Sequence, residues 1–453
     1  MTAAYQDGLH REELIPQADA PKVPTSFADL GVPKVVLENL LLKHLAAYPK
    51  SDILQLTKSM GINSHLIEEM LGDLRKKSKV EVFQAAPDSF ISQGSSSGSA
   101  SIRYALSESG MQDADMAFAK DAYLGPAPVS LTDYDTMVKA QDVRTRVVTK
   151  DDVTFALQEV YGAERLIGVI GPAINSGRAL LLYGDAGTGK TFVATRILNS
   201  LNTSVYIPYA VYAAGNIIKV FSPQHHKRLN SPEDESSFVF KEQFDRRWAL
   251  CERPSIQVGG ELTMDMLEVN HTEHNRVWIA PLQMMANNGI FIIDDLGRQP
   301  MPVDTLLNRW IVPMEYFFDH LALPNGQQVT IPFILTLAFS SNLDPESIAD
   351  PAFLRRLGYK IQFYPLKENE YRALWEKVAS GRQLSIAEPV FDTLFNLHSQ
   401  HSVGFYPCLP KDMIGISRDI IAFEETAPTI TPEIVSRAWE VYFTADGKGG
   451  GAR

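Results

Sequence analysis

The chain has 453 residues, room for about three domains, with the 45% apolar and 21% charged content of an ordinary globular protein. A formal charge of −12 excludes a chain that coats a polyanion along its length, so any nucleic-acid contact has to be local. Two cysteines, Cys251 and Cys408, exclude a disulfide framework, and no apolar run approaches the roughly 20 residues of a membrane span.

The first residues show no basic region followed by an apolar one, so a cytoplasmic protein without membrane contact is expected. Residues 1–30 are rich in proline, alanine and charge and predict a mobile arm. Residues 31–123 predict a compact unit. Val35 to Leu45 gives an apolar-faced helix. Ser51 is placed to cap a short helix, Asp52 to Met60, closed by Gly61. A third helix starts at Asn63 or Ser64 and runs to about Lys77. Val80-Glu81-Val82-Phe83 and Ile102-Arg103-Tyr104-Ala105-Leu106 read as strands, with the flexible run Gly94-Ser95-Ser96-Ser97-Gly98-Ser99 between them. Three helices followed by a hairpin resemble a winged helix, on element order alone. Its third helix would be the reader of DNA, yet it carries Glu68, Glu69 and Asp73, with Arg75, Lys76 and Lys77 bunched at its end. DNA binding through residues 31–108 and docking of a protein both stay open. A helix from Ser109 to about Tyr123 closes the unit, and Gly125-Pro126-Ala127-Pro128-Val129 opens an extended linker over residues 124–150.

Two helical lead-ins, Asp151 to Leu157 and Glu164 to Ile170, precede the most informative stretch. Gly184-Asp185-Ala186-Gly187-Thr188-Gly189-Lys190-Thr191 has the spacing G-x-x-x-x-G-K-[ST] of a phosphate-binding loop. It follows the apolar run Ala179-Leu180-Leu181-Leu182-Tyr183 and precedes a segment of helical period, so it lies between a strand and a helix N-terminus. The glycines let the backbone curl and turn its N–H groups inward onto phosphate. Lys190 is placed for the outer phosphates, and Thr191 for Mg²⁺.

Beyond it, Ser204-Val205-Tyr206-Ile207-Pro208-Tyr209 predicts a second strand, and Ser231 to Ser237 an exposed acidic loop. Gly259-Gly260-Glu261-Leu262-Thr263 is punctuated like a functional turn, with no role assigned. His225, His226, His271 and His274 read as solvated loop histidines, since no tight Cys/His spacing supports a metal site. Gly289-Ile290-Phe291-Ile292-Ile293-Asp294-Asp295 is an apolar strand ending in two carboxylates. Asp294 suits Mg²⁺ and Asp295 an attacking water. Trp310 is expected in the core, while Arg309 and Arg298 are possible interface arginines. His320 to Ile331 predicts a hairpin with an Asn-Gly turn. Thr336-Leu337-Ala338-Phe339-Ser340-Ser341-Asn342 is a strand ending in an amide suited to the γ-phosphate or the lytic water. Asp350-Pro351-Ala352-Phe353-Leu354-Arg355-Arg356 ends in paired arginines, a good way to present a guanidinium to a neighbour's phosphate.

In this order the motifs are similar to those of the AAA+ ATPase superfamily, over roughly residues 150–445. The resemblance implies an α/β fold: a doubly wound parallel sheet of order 5-1-4-3-2 over residues 151–365, and a helical lid over 366–445. It implies a homo-oligomeric ring with ATP and Mg²⁺ at each interface. Gly184, Asp185, Ala186, Gly187, Thr188, Gly189, Lys190 and Thr191 would hold the nucleotide, Thr191 and Asp294 the metal. Asp295, Asn342 and either Arg355 or Arg356 would be catalytic. The family's usual Walker B glutamate is here Asp295, and its sensor 2 arginine is here Lys411, with Arg418 in reserve. The hairpin resembles the insertion of the MoxR, magnesium-chelatase and helicase branch. Four amphipathic runs, beginning at Glu368, Glu388, Lys411 and Thr431, supply the lid. Residues 446–453 predict a disordered tail. The expected function is ATP-driven remodelling of a protein complex. A DNA-acting protein and a slow nucleotide-gated switch are the alternatives.

Overall fold

Five short apolar strands form the sheet on which the rest is built. They are Leu180–Tyr183 (β1), Ser255–Val258 (β2), Ile290–Ile293 (β3), Thr336–Ser341 (β4) and Tyr359–Gln362 (β5), and every neighbouring pair is parallel. In space they run β5-β1-β4-β3-β2. This is a computed structural model, describing residues 15–84, 102–229, 244–271 and 276–443. The glycine-serine run at 94–99, the acidic loop at 231–237, His274 and the tail at 446–453 lie outside these residues.

Alternation along each strand sends successive side chains to opposite faces. Leu181, Phe291, Ile293 and Phe339 join one apolar cluster, with Leu306 and Trp310. Leu180, Leu182, Ile290, Ile292 and Ala338 join the other, with Ile170, Ile174, Val193 and Ile197. All nine of these strand residues are 0% exposed, so the sheet is covered on both faces, as parallel sheets are. Each large aliphatic side chain so buried is worth about 1.5–3 kcal/mol. Because the strands are parallel, the loops after Tyr183, Val258, Ile293 and Ser341 leave from one edge.

The strand expected at 204–209 forms, as Thr203–Pro208, but outside this sheet. It pairs antiparallel with Trp248–Glu252 and parallel with Ile15–Pro16. Its place at the edge of the parallel sheet is taken by β2. The buried Arg253 guanidinium ties the two sheets together, donating to Thr203 Oγ1 at 2.7 Å and to the Asn288 carbonyl. Pro254 then brings the chain against β3, where a Cβ at Gly289 would lie 1.9 Å from the Pro254 oxygen.

The N-terminal unit has helices Lys34–Ala47, Ile53–Met60 and Ser64–Lys76, and a three-stranded antiparallel sheet. In that sheet Ile102–Leu106 lies between Val80–Gln84 and the two-residue strand Ser51–Asp52. The cap of the second helix is Asp52, not Ser51: its carboxylate accepts from Gln55 N at 2.8 Å, while Ser51 Oγ donates to the Tyr48 carbonyl. A further helix, Glu108–Lys120, packs beside the first.

Two stretches expected to be loose are packed. Within the supposed arm, Ile15–Pro16 adds to the strand Thr203–Pro208, and Leu30 is fully buried at the end of the helix Phe27–Leu30, which Ser26 caps. Within the supposed linker, Ala127 and Val129 are fully buried, and Leu131–Ala140 is a helix with Tyr134 in the core. Proline fixed these segments in extended form, but their neighbours are apolar and cover them. The hairpin Ala210–Ala213 and Asn216–Lys219 lends Ala210 and Ile217 to the N-terminal unit's core. Arg247 donates to the Leu30 and Pro128 carbonyls at 3.0 and 3.2 Å while paired with buried Asp245.

Residues 366–443 form four helices, Glu368–Gly381, Val390–Gln400, Cys408–Phe423 and Pro432–Tyr442, around a core of Tyr371, Trp375, Leu394, Met413, Val435 and Trp439. The hairpin after the helix Val303–Tyr316 is Phe318–Ala322 and Gln328–Pro332.

Candidate active site

The loop after β1 curls back on itself because its glycines allow it. Gly184 has φ +131°, and a Cβ there would lie 2.3 Å from the Phe363 carbonyl. Gly187 has φ +78°, and a Cβ there would meet Cys408 Sγ at 2.5 Å. Lys190 opens the helix Lys190–Arg196 and is 6% exposed. Its ammonium donates to the carbonyls of Gly184 at 2.8 Å and Asp185 at 2.9 Å, and to Asn342 Oδ1 at 2.8 Å. Burial pushes the ammonium below its ordinary pKa, while Asp294, Asp295 and Asp185 pull it back up.

The end of β3 faces this lysine. Asp294 Oδ2 accepts from Thr191 Oγ1 at 2.9 Å and from Gln257 Nε2 at 3.1 Å, and Asp294 Oδ1 accepts from Asp295 N at 3.1 Å. Asp295 takes a left-handed backbone, φ +49°. Its Oδ1 accepts from Asn342 Nδ2 at 3.1 Å. Lys190, Asn342 and Asp295 are thus joined through one carboxamide, with Thr191 and Asp294 paired beside them. Three strand ends supply these groups, an arrangement that can hold an anion and a hard cation side by side.

The cleft around them has a volume of about 1630 Å³. Lys190, Thr191, Asp294, Asp295, Asn342 and Lys411 line it. Its apolar side includes Val160, Leu166, Val193, Leu374 and Val378. The C-terminal four-helix segment touches the loop directly: Tyr406 Oη donates to Asp185 Oδ2 at 3.2 Å, and Cys408 N to the Gly187 carbonyl at 3.3 Å. Burial raises the pKa of the Cys408 thiol beside the loop.

Arg355 and Arg356 do not line the cleft. Arg355 is exposed, with Nε donating to the Pro351 carbonyl at 3.2 Å, and Arg356 Nε meets Glu315 Oε1 at 2.6 Å. Arg298 does line it, from the loop after Asp295. Arg309 is held at the base of the hairpin by buried Asp319 at 2.5 Å and by Glu268 at 3.2 Å. Arg418 lies beside Asp419 and away from the cleft.

Three side chains bonded to the loop or to the end of β3 escaped the sequence reading. Gln257 sits on β2, a strand not recognised as such. Tyr406 lies in a loop without a motif. Gln299, four residues past Asp295, gathers carbonyls around the end of β3, donating to those of Asp294 at 3.1 Å and Gly259 at 3.2 Å. The only available signal was its closeness in sequence to the two carboxylates. His226 is corrected too: it is buried, with Nδ1 accepting from Ser222 N at 3.0 Å and Nε2 meeting the Met285 carbonyl at 2.9 Å.

Known proteins offer limited likeness. The profile of a domain of unknown function (DUF8689) matches residues 367–441, the four-helix segment. No curated protein matches the chain in sequence. Among solved structures, a mutant of RuvB from Thermotoga maritima is 14% identical, over 68% of this chain and 75% of its own, with a TM-score of 0.36. The RuvB Holliday junction branch migration motor of the same organism is 15% identical, over 67% and 73%, with a TM-score of 0.34. NtrX from Brucella abortus is 11% identical, over 72% and 59%, with a TM-score of 0.38. Among the described residues no helix is long and apolar enough to cross a membrane.

Proposed function

We propose that this chain is an AAA+ ATPase that hydrolyses ATP between subunits and uses the energy to remodel a protein complex. One observation carries the reading: Lys190, Thr191, Asp294, Asp295 and Asn342, from three strand ends, meet in one hydrogen-bonded cluster. The loop from Gly184 to Thr191 grips the triphosphate, and Lys190 exchanges the Gly184 and Asp185 carbonyls for phosphate oxygens. The fit to Mg²⁺ rests on the paired Thr191 hydroxyl and Asp294 carboxylate; the ion, when bound, screens the phosphate charge. Asp295 takes a proton from the attacking water, and Asn342 orients that water or the γ-phosphate. Lys411, which lines the cleft, adds a point charge from the lid. Arg355 or Arg356 serves a neighbouring protomer in a ring.

The N-terminal unit, winged-helix-like in its element order, suits protein docking better than DNA. Its third helix exposes Glu68 and Glu69, and its end carries Lys76 and Lys77 already paired with Asp73 and Glu38. The decisive experiment compares ATP binding and turnover in the parent and in Lys190→Ala. The variant should lose both. Equal turnover by the two would end the reading.

A further inference from the structure

We propose that Gln299 is a positioning residue for the Asp295 carboxylate, a role that rests on the ATPase reading above. The loop from Asp295 to Gln299 reverses within a few residues. It contains two left-handed positions, Asp295 at φ +49° and Gly297 at φ +106°. A left-handed aspartate is tolerated rather than favoured, so something has to hold it. Leu296 anchors one side, being 4% exposed, with its N–H on the Ser340 carbonyl at 2.8 Å. Gln299 is 8% exposed, and its carboxamide bonds across the inside of the turn.

Both ends of that carboxamide are used. Oε1 accepts from Gly297 N at 2.9 Å. Nε2 faces the carbonyls of Asp294 at 3.1 Å, Gly259 at 3.2 Å and Asp295 at 3.4 Å. The Asp295 carbonyl also accepts from Arg298 N at 3.0 Å. One side chain therefore fixes the peptide planes on both sides of the Asp295 Cα, and with them the direction of its carboxylate toward Asn342. The same nitrogen reaches the turn Gly259 to Thr263, which now has a role. That turn is held by Glu261, whose Oε1 accepts from Gly259 N at 2.9 Å, and by fully buried Leu262. Gln299 thus fastens the end of β3 to the end of β2, where Gln257 holds Asp294. It adds to the backbone bond between the same strand ends, where Asp294 N donates to the Val258 carbonyl at 2.7 Å.

The test is Gln299→Met, of similar length but without hydrogen bonds, beside Gln299→Glu, which keeps the acceptor and loses the amide donor. ATP affinity, kcat and melting temperature are measured for each. Misplacing the reacting carboxylate should lower kcat of Gln299→Met by about 10²-fold with ATP affinity within about twofold. Gln299→Glu should be impaired at neutral pH and recover toward the parent as pH falls, because the protonated carboxyl again donates. An unchanged kcat, or a kcat loss matched by an equal loss of ATP affinity, overturns the proposal. If Gln299→Met does not fold, the pH profile of Gln299→Glu decides: a ratio to the parent that is flat with pH overturns it. A parent chain with no turnover at all sinks the ATPase reading and this inference together. A parent that turns over beside unaffected Gln299 variants sinks this inference alone.

Discussion

In the proposed reaction Asp295 is the base, and its backbone makes a clean test possible. Asparagine tolerates the left-handed region as aspartate does, so Asp295→Asn keeps the loop while removing the base. Turnover is expected to fall by about 10²–10⁴-fold, the usual worth of general base catalysis, with ATP still bound. Single-turnover hydrolysis beside equilibrium binding checks it; a variant that hydrolyses like the parent removes Asp295 from the role of base. His226 supports a second residue-scale expectation, about stability. Burial holds its pKa down to about 4, with a smaller push from neighbouring His225, against the Met285 carbonyl, which raises it. In the unfolded chain a histidine titrates near about 6.5. Above that value both states are neutral and the folded state keeps its full stability. As pH falls from there toward 4, only the unfolded state gains the proton, so stability is lost, by about 3 kcal/mol in all. Melting curves at pH 7.5 and 5.0 should show a drop in the parent that His226→Gln lessens. Equal drops in both would assign the pH dependence to other groups.

At the scale of elements, the helix Val303–Tyr316 shows how the active edge is supported. Trp310 is 2% exposed and packs between Phe291 of β3 at 5.5 Å and Phe333 at 5.3 Å. Trp310→Ala should cost about 3–5 kcal/mol, by analogy with other large-to-alanine core changes, and should be seen as a clear fall in denaturant midpoint. A midpoint unchanged within error would mean that the helix does not bear on β3. The same strands explain what could be read in advance. β1, β3 and β4 are apolar on both faces and end in residues with known chemistry, so pattern and motif agreed. β2 alternates, with Ser255 and Gln257 exposed and Ile256 and Val258 buried, and only four residues long it has too little pattern to stand out. Thr203–Pro208 is buried at every position and therefore read as a central strand, yet its partners are Trp248–Glu252 and Ile15–Pro16. Gln257 and Gln299 were illegible for another reason. A carboxamide has no charge and no spacing rule, and its value depends on which carbonyls or carboxylates the fold brings within reach. The proline-rich stretches around Leu30 and Ala127 failed in the opposite sense: composition described the backbone's stiffness but not what would cover it.

At the scale of the whole molecule, the cleft and the paired arginines lie apart. Lys190, Arg298 and Lys411 line it, whereas Arg355 and Arg356 lie elsewhere on the same protomer, Arg356 against Glu315. If one of these arginines is to meet a γ-phosphate, that phosphate belongs to another copy of the chain. Turnover should then depend on protein concentration, and removing the arginine should cost about 10³-fold or more while leaving nucleotide affinity nearly unchanged. A mixing experiment separates this from simple damage. Lys190→Ala cannot hold ATP but keeps its arginines. The Arg355→Ala, Arg356→Ala double variant holds ATP but lacks them. Each should be silent alone. Mixed at a concentration where the parent assembles, they create junctions in which an intact loop on one chain faces an intact arginine on the next, and turnover should return. Because neither chain regains its own missing group, recovered activity has no source except the shared junction. A mixture as silent as its parts, from variants shown to co-assemble, would place both arginines outside the reaction and leave each cleft to work alone.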